Sequence, residues 1–128
     1  MYQIDAMSRV PVYEQIVNQT ERFILTGILK PGDKIPSVRN LSIELSVNPN
    51  TIQKSILELD RRGLIFSVPG RGCYVSEEAR AALTAVKRKE MAEIKEKINE
   101  LALAGVTKDE IIELIEEVFS SKEVQDND

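Results

Sequence analysis

The sequence predicts an α+β, mostly helical fold: a winged helix-turn-helix over residues 1–76, then a C-terminal helical hairpin over residues 77–121. Three observations carry this. Pro36-Ser37-Val38-Arg39 opens a short helix to about Leu45, and Asn48-Pro49-Asn50-Thr51 opens a second after a tight turn. Leu64 to Val75 then reads as two strands around Pro69-Gly70-Arg71-Gly72. Finally, two amphipathic helical patterns fill most of what remains.

The bounds are narrow. A chain of 128 residues, 42% hydrophobic and 30% charged, fits one small globular domain plus an appendage and leaves no room for a large catalytic core. It has no histidine and one cysteine, Cys73, so neither an internal disulfide nor an ordinary zinc or iron site can be assembled in one chain. No metal and no cofactor are expected. Without a paired nucleophile and base, or a phosphate-cradling glycine loop before a helix, the chain is not expected to be an enzyme. No run approaches the roughly 18 apolar residues of a membrane helix, and the amino terminus lacks a signal-peptide core, so the expectation is a cytoplasmic protein without a membrane partner.

Each element follows from local chemistry. Tyr2 to Met7 reads as a short strand. Pro11 suits the start of a helix because its missing N–H costs nothing there, and Tyr13, Ile16, Thr20, Phe23 and Ile24 keep the three-and-four spacing of a buried stripe up to a Gly27 terminator. Pro31-Gly32 marks a turn, Ile35-Pro36 ends an extended stretch, and Ser37 caps the second helix, which is expected to bury Val38, Leu41, Leu45 and part of Ile43. Asn48 is assigned to capping the third helix, with Pro49 preset in its first position. At 100° per residue, Ile52, Ile56 and Leu59 share the inner face and Asn50, Lys54 and Arg61 the outer, with Thr51, Gln53 and Glu58 on the flanks. Gly63 ends the helix.

Outward Asn, Thr, Gln and Lys at the start of such a helix are the side-chain types that pair with base edges or phosphates in a major groove. Arg71, between two glycines at a hairpin tip, suits a minor groove or a phosphate. The net charge of −4 hides an asymmetry: residues 1–75 hold nine Lys/Arg against seven Asp/Glu, net +2, and residues 76–128 hold eight against fourteen, net −6. DNA contacts are therefore expected in the first half only.

With these pieces in place, the chain resembles the GntR family of bacterial transcription regulators over roughly residues 11–75. The resemblance is carried by Pro11-Val12-Tyr13-Glu14-Gln15-Ile16, Gly27-Ile28-Leu29-Lys30-Pro31-Gly32-Asp33-Lys34-Ile35-Pro36-Ser37-Val38-Arg39, Val47-Asn48-Pro49-Asn50-Thr51-Ile52, Gly63-Leu64-Ile65 and Gly70-Arg71-Gly72-Cys73-Tyr74-Val75. It implies DNA contacts through Arg39, Asn50, Thr51 and Gly70, and Lys54 resembles a lysine that many short members carry. With Ser37, Gln53 and Arg71 these make up the expected DNA-contact set. Many members have arginines where this chain has Pro49 and Gln53, and a threonine where it has Cys73, so those family contacts do not transfer. Cys73 reads as a small packed residue.

After Val75 only 53 residues remain, too few for the effector domain of most members. Leu83, Val86, Met91, Ile94, Ile98 and Leu101 form a stripe along one charged helix from about Glu77 to Ala104, and Lys87-Arg88-Lys89 reads as a solvated face. Gly105 closes this helix. Thr107-Lys108-Asp109-Glu110 is a capping-box pattern before a helix whose apolar face is Ile111, Ile112, Leu114, Ile115, Val118 and Phe119. Two such faces exceed what one small chain can cover, so these residues are expected to form a homodimer seam, with residues 122–128 a flexible acidic tail. The short architecture resembles the YtrA-like subfamily, which implies a dimeric repressor of an operator with an inverted repeat, often before ABC transporter genes, with no effector named. The alternative is a winged-helix adaptor that joins proteins and does not bind specific DNA.

Overall fold

The computed structural model describes residues 1–121 and divides into two compact units, the first Met1–Leu83 and the second beginning at Thr84. The elements in order are α1 (Val12–Leu25), α2 (Val38–Leu45), α3 (Pro49–Arg61), β1 (Ile65–Val68), β2 (Gly72–Val75), α4 (Ala79–Arg88), α5 (Met91–Leu103) and α6 (Lys108–Phe119). The expected tail, residues 122–128, lies outside the described residues.

In the first unit α1 and α2 pack on α3, the helix at its centre. The inner stripe of α3 is what the 100° spacing requires: Ile52 and Leu59 are fully buried and Ile56 nearly so, against Ile16 and Val17 of α1, Leu41 of α2 and Val75 of β2. Where α3 meets α1 the buried polar residue Ser55 donates its hydroxyl to the carbonyl oxygens of Thr51 and Tyr13, each at 3.2 Å, so it is buried without an unpaired group. The Asn48 side chain accepts from the Asn50 N–H at 2.8 Å with Pro49 in the first helical turn, the start the sequence called for. At the far end the N–H groups of Gly63 and Leu64 return to the carbonyls of Asp60 and Leu59, a Schellman closure whose Leu59 and Leu64 are both buried.

The turn between α2 and α3 depends on a residue the sequence did not flag. Ser46 ends α2 in the left-handed region at φ 54°, while Ser42 donates to the Val47 carbonyl at 2.6 Å and the Val47 N–H returns to Ser42. Ile43 faces outward at 69% exposure, contrary to its expected partial burial, because the eight-residue α2 turns only its Leu41 side into the core.

Tyr2 to Met7 is not a strand. The segment from Tyr2 to Asp5 lies along α1, and two glutamines one helical turn apart stand in for a neighbouring strand. The Gln19 side chain exchanges hydrogen bonds with the Gln3 backbone, and the Gln15 side chain does the same with Asp5. Tyr2 is buried there, edge-on to Phe23 at 5.2 Å, its hydroxyl 2.7 Å from that of Thr20. Burial pushes the Tyr2 phenol above its ordinary pKa, and the hydrogen bond to Thr20 only partly offsets this.

The stretch expected as one helix from Glu77 to Ala104 is two. α4 stops at Arg88 and α5 starts at Met91, joined by N–H bonds from Lys89 and Glu90 to carbonyls three residues back. No glycine or proline marks this break. It falls beyond the last buried residue, where packing no longer holds the helix straight: Ala79 and Leu83 belong to the core of the first unit, and α5 buries nothing. Leu83 is therefore spent inside its own chain and cannot serve a dimer seam. Gly105 and the capping box of Thr107 and Glu110 separate α5 from α6 as expected. Leu59→Ala, at the buried centre of α3, is expected to cost about 3 kcal/mol in urea denaturation, from lost transfer energy and the cavity left behind.

Candidate nucleic-acid interface

The wing is built by its register. β1 and β2 are antiparallel, pairing Ile65 with Val75, Phe66 with Tyr74, Ser67 with Cys73 and Val68 with Gly72. Alternation puts Ile65 and Val75 into the core, while the Phe66 and Tyr74 rings stack on the other face at 5.9 Å. The tip closes where the Arg71 N–H donates to the Val68 carbonyl at 2.9 Å, with Pro69 and Gly70 between them and Gly70 at φ 77°. Gly72 is more constrained: at φ 122°, any β-carbon would also sit 3.0 Å from Cε of Lys34. Cys73 is half-buried, its sulfur 3.4 Å from the Ser67 hydroxyl.

A further segment completes the sheet edge. The Gly32 and Ile35 N–H groups donate to the carbonyls of Val75 and Cys73, and the Val75 N–H donates to Asp33, all at 2.9 Å. The chain that leads into α2 is thereby laid against the wing. Ser37, Gly70 and Arg71 consequently line one open groove of about 360 Å³, together with Lys34 and the edge of Ile56. The Ser37 Oγ accepts from the Asn40 N–H at 3.0 Å and caps α2. The sequence alone gives Lys34 no role in the site. Its signal was its place three residues before the capping serine, which means nothing until the strand pairing brings it over Gly72.

On α3, Asn50, Gln53 and Lys54 are exposed and Thr51 is half-buried. The structure does not treat them alike. The Lys54 ammonium lies 4.0 Å from the ring centroid of Tyr13 on α1, beside a shallow surface that includes Glu58, Arg61 and Arg62. Leu57, which the sequence reading left without a role, is exposed on the same helix.

Around α2, α3 and the wing, the basic residues differ in their partners. Arg61 forks onto Glu58, with Nε to Oε2 at 2.9 Å, and Arg62 reaches Glu21 at 2.8 Å and Glu58 at 3.5 Å. The hydrogen bond from Arg61 is the main reason the Glu58 carboxyl is held below the ordinary carboxylate range. By contrast, among the described residues Lys34, Arg39, Lys54 and Arg71 have no carboxylate partner. Uncompensated cations at the groove, on α2 and on α3, with paired ones toward the end of α3, give the first unit of an otherwise acidic chain positions that can attract phosphates.

Comparison with known proteins shows the family and the fold. Residues 12–75 match the bacterial regulatory proteins of the gntR family. The chain is 44% identical over 122 residues to the HTH-type transcriptional repressor YtrA of Bacillus subtilis, covering 92% of each chain. It is similar to a GntR family transcriptional regulator from Listeria monocytogenes, at TM-score 0.67 and 33% identity over 89% of this chain and 98% of that one. It is also similar to the AraR DNA-binding domain solved in complex with operator ORE1, at TM-score 0.51 and 30% identity over 59% of this chain and 93% of that one. The chain belongs to the gntR family, a family of regulators and not of enzymes.

The wing geometry makes a structural prediction. Gly72→Ala combines an unfavourable φ with the approach to Lys34, and is expected to lower stability by about 2 kcal/mol in thermal denaturation.

Proposed function

We propose that this gntR-family transcriptional regulator acts in the cytoplasm as a dimeric repressor. Each copy lays the start of α3 in a major groove and the wing alongside it, on an operator with an inverted repeat. The observation that carries this reading is that unpaired cations at the wing and on α2 accompany a polar, exposed start of α3. Arg39 in the first turn of α2 and Arg71 at the wing tip stand where phosphates would lie, Asn50 faces outward at the start of α3 where base edges would lie, and Thr51 and Gln53 on its flanks can reach a base edge or a phosphate. Gly70 lets the wing backbone come close to DNA, and the free proton of the capping Ser37 hydroxyl can still be donated to a phosphate.

The second unit supports pairing. Neither α5 nor α6 buries a residue, and Met91, Ile94, Leu101, Ile112, Leu114, Ile115, Val118 and Phe119 are exposed, with Ile98 and Ile111 half-covered. An apolar surface this extended on a small protein favours covering by a second copy. Val86, at the end of α4, is exposed as well and can join that seam. A two-fold pair would present its recognition helices roughly 34 Å apart, one DNA turn, matching an inverted repeat. The resemblance to the YtrA-like subfamily adds ABC transporter operons as the proposed class of regulated genes.

Gel shifts on the DNA upstream of its own gene test the reading. Arg39→Ala and Arg71→Ala are each expected to weaken binding by about 1–3 kcal/mol. Equal, salt-insensitive retention of these variants and the wild type would favour a protein-joining adaptor. Light scattering is expected to give a dimer at micromolar concentration, and Ile115→Asp a monomer with weakened operator binding.

A further inference from the structure

We infer that Tyr13 on α1 is a positioning residue that holds Lys54 as a phosphate clamp, so that Lys54 adds affinity and not base selectivity. The inference rests on the DNA-binding reading above.

Lys54 is held by a ring and not by a carboxylate. An ion pair would fix the ammonium but also cancel it, as Glu58 and Glu21 do for Arg61 and Arg62. The face of Tyr13, 4.0 Å away, fixes the ammonium by its quadrupole and leaves the full positive charge for an incoming anion. The ring is itself well placed. The Tyr13 carbonyl accepts from buried Ser55 at 3.2 Å, which ties this turn of α1 to α3, and the Tyr13 hydroxyl donates to Glu14 at 3.2 Å. That bond to Glu14 pushes the phenol above its ordinary pKa. The other carboxylate on this surface, Glu58, is taken by the two arginines. Among the described residues, no carboxylate lies within ion-pair distance of Lys54.

Direction decides what Lys54 meets. At 100° per residue Lys54 lies between Asn50 and the α1-facing flank of α3, and the ring draws its long side chain further toward α1, away from the line of Asn50 and Gln53. When a helix lies in a major groove, its midline faces base edges and its flanks face the backbones of the groove walls. A lysine leaning to the flank therefore meets phosphate, and holding it there before DNA arrives removes part of the cost of ordering a four-carbon side chain.

The test measures the affinity of the full-length chain against salt, on the duplex upstream of its own gene and on a scrambled duplex of equal length. Lys54→Met is expected to lower affinity for both about equally, roughly tenfold at moderate salt, leaving their ratio unchanged and reducing the salt slope by about 0.9 per recognition helix. Tyr13→Leu is expected to do the same, to add nothing in a Lys54→Met background, and to be rescued by Tyr13→Phe, which keeps the ring. A changed ratio in Lys54→Met, or an undiminished loss from Tyr13→Leu in that background, overturns the inference. Should Tyr13→Leu fail to fold by circular dichroism, Tyr13→Gln, which also removes the ring, takes its place alone and in the Lys54→Met background. Failure of the wild type to bind either duplex would instead remove the DNA-binding reading.

Discussion

Three backbone hydrogen bonds between Gly32–Ile35 and β2 set most of what this molecule can do. A two-stranded hairpin alone is marginal in water. Here β2 is anchored on both edges, by β1 and by the chain leading into α2, and its last residue, Val75, is wholly buried beside Ile35 in the core. The same bonds bring Lys34 over Gly72 and set Ser37 opposite Gly70 and Arg71. Without them the wing tip and the start of α2 would not line one groove.

The core around α3 and the electrostatics of its exposed side are two consequences of one periodicity. Ile52, Ile56 and Leu59 point inward, so their neighbours must face solvent, α1 or DNA. Which of those neighbours remain charged then depends on partners supplied by other elements. Glu21 and Glu58 quench the arginines at the end of α3, and a tyrosine from α1 holds Lys54 without quenching it. This local sorting explains how a chain of net charge −4 can still present an anion-seeking face, because at physiological salt fields from charges more than about 8 Å away are largely screened.

The second unit is organised by a different rule. The capping box at Thr107 and Glu110 and the Gly105 closure specify where α5 ends and α6 begins, yet neither helix buries a side chain. Helices of 13 and 12 residues are near the limit of what propensity alone sustains in water, and in the proposed dimer burial of their apolar faces supplies the balance.

The sequence by itself determined the elements whose ends are written in capping chemistry: Ser37, Asn48-Pro49, Gly63, Gly105 and Thr107 each act within a few residues along the chain, so local reading suffices. It determined the inner stripe of α3 for the same reason, and its motifs carried the family. Only the tertiary structure decided the rest, because those features depend on partners far apart in sequence. Gln15 and Gln19 replaced a strand with side chains, Leu83 was drawn into the first core, the helix beyond it broke once burial ended, and Lys34 joined the groove through strand pairing. Lys54 shows the difference most directly: its outward position follows from helical spacing, but the ring that holds it lies 41 residues earlier, where only folding brings it within 4.0 Å.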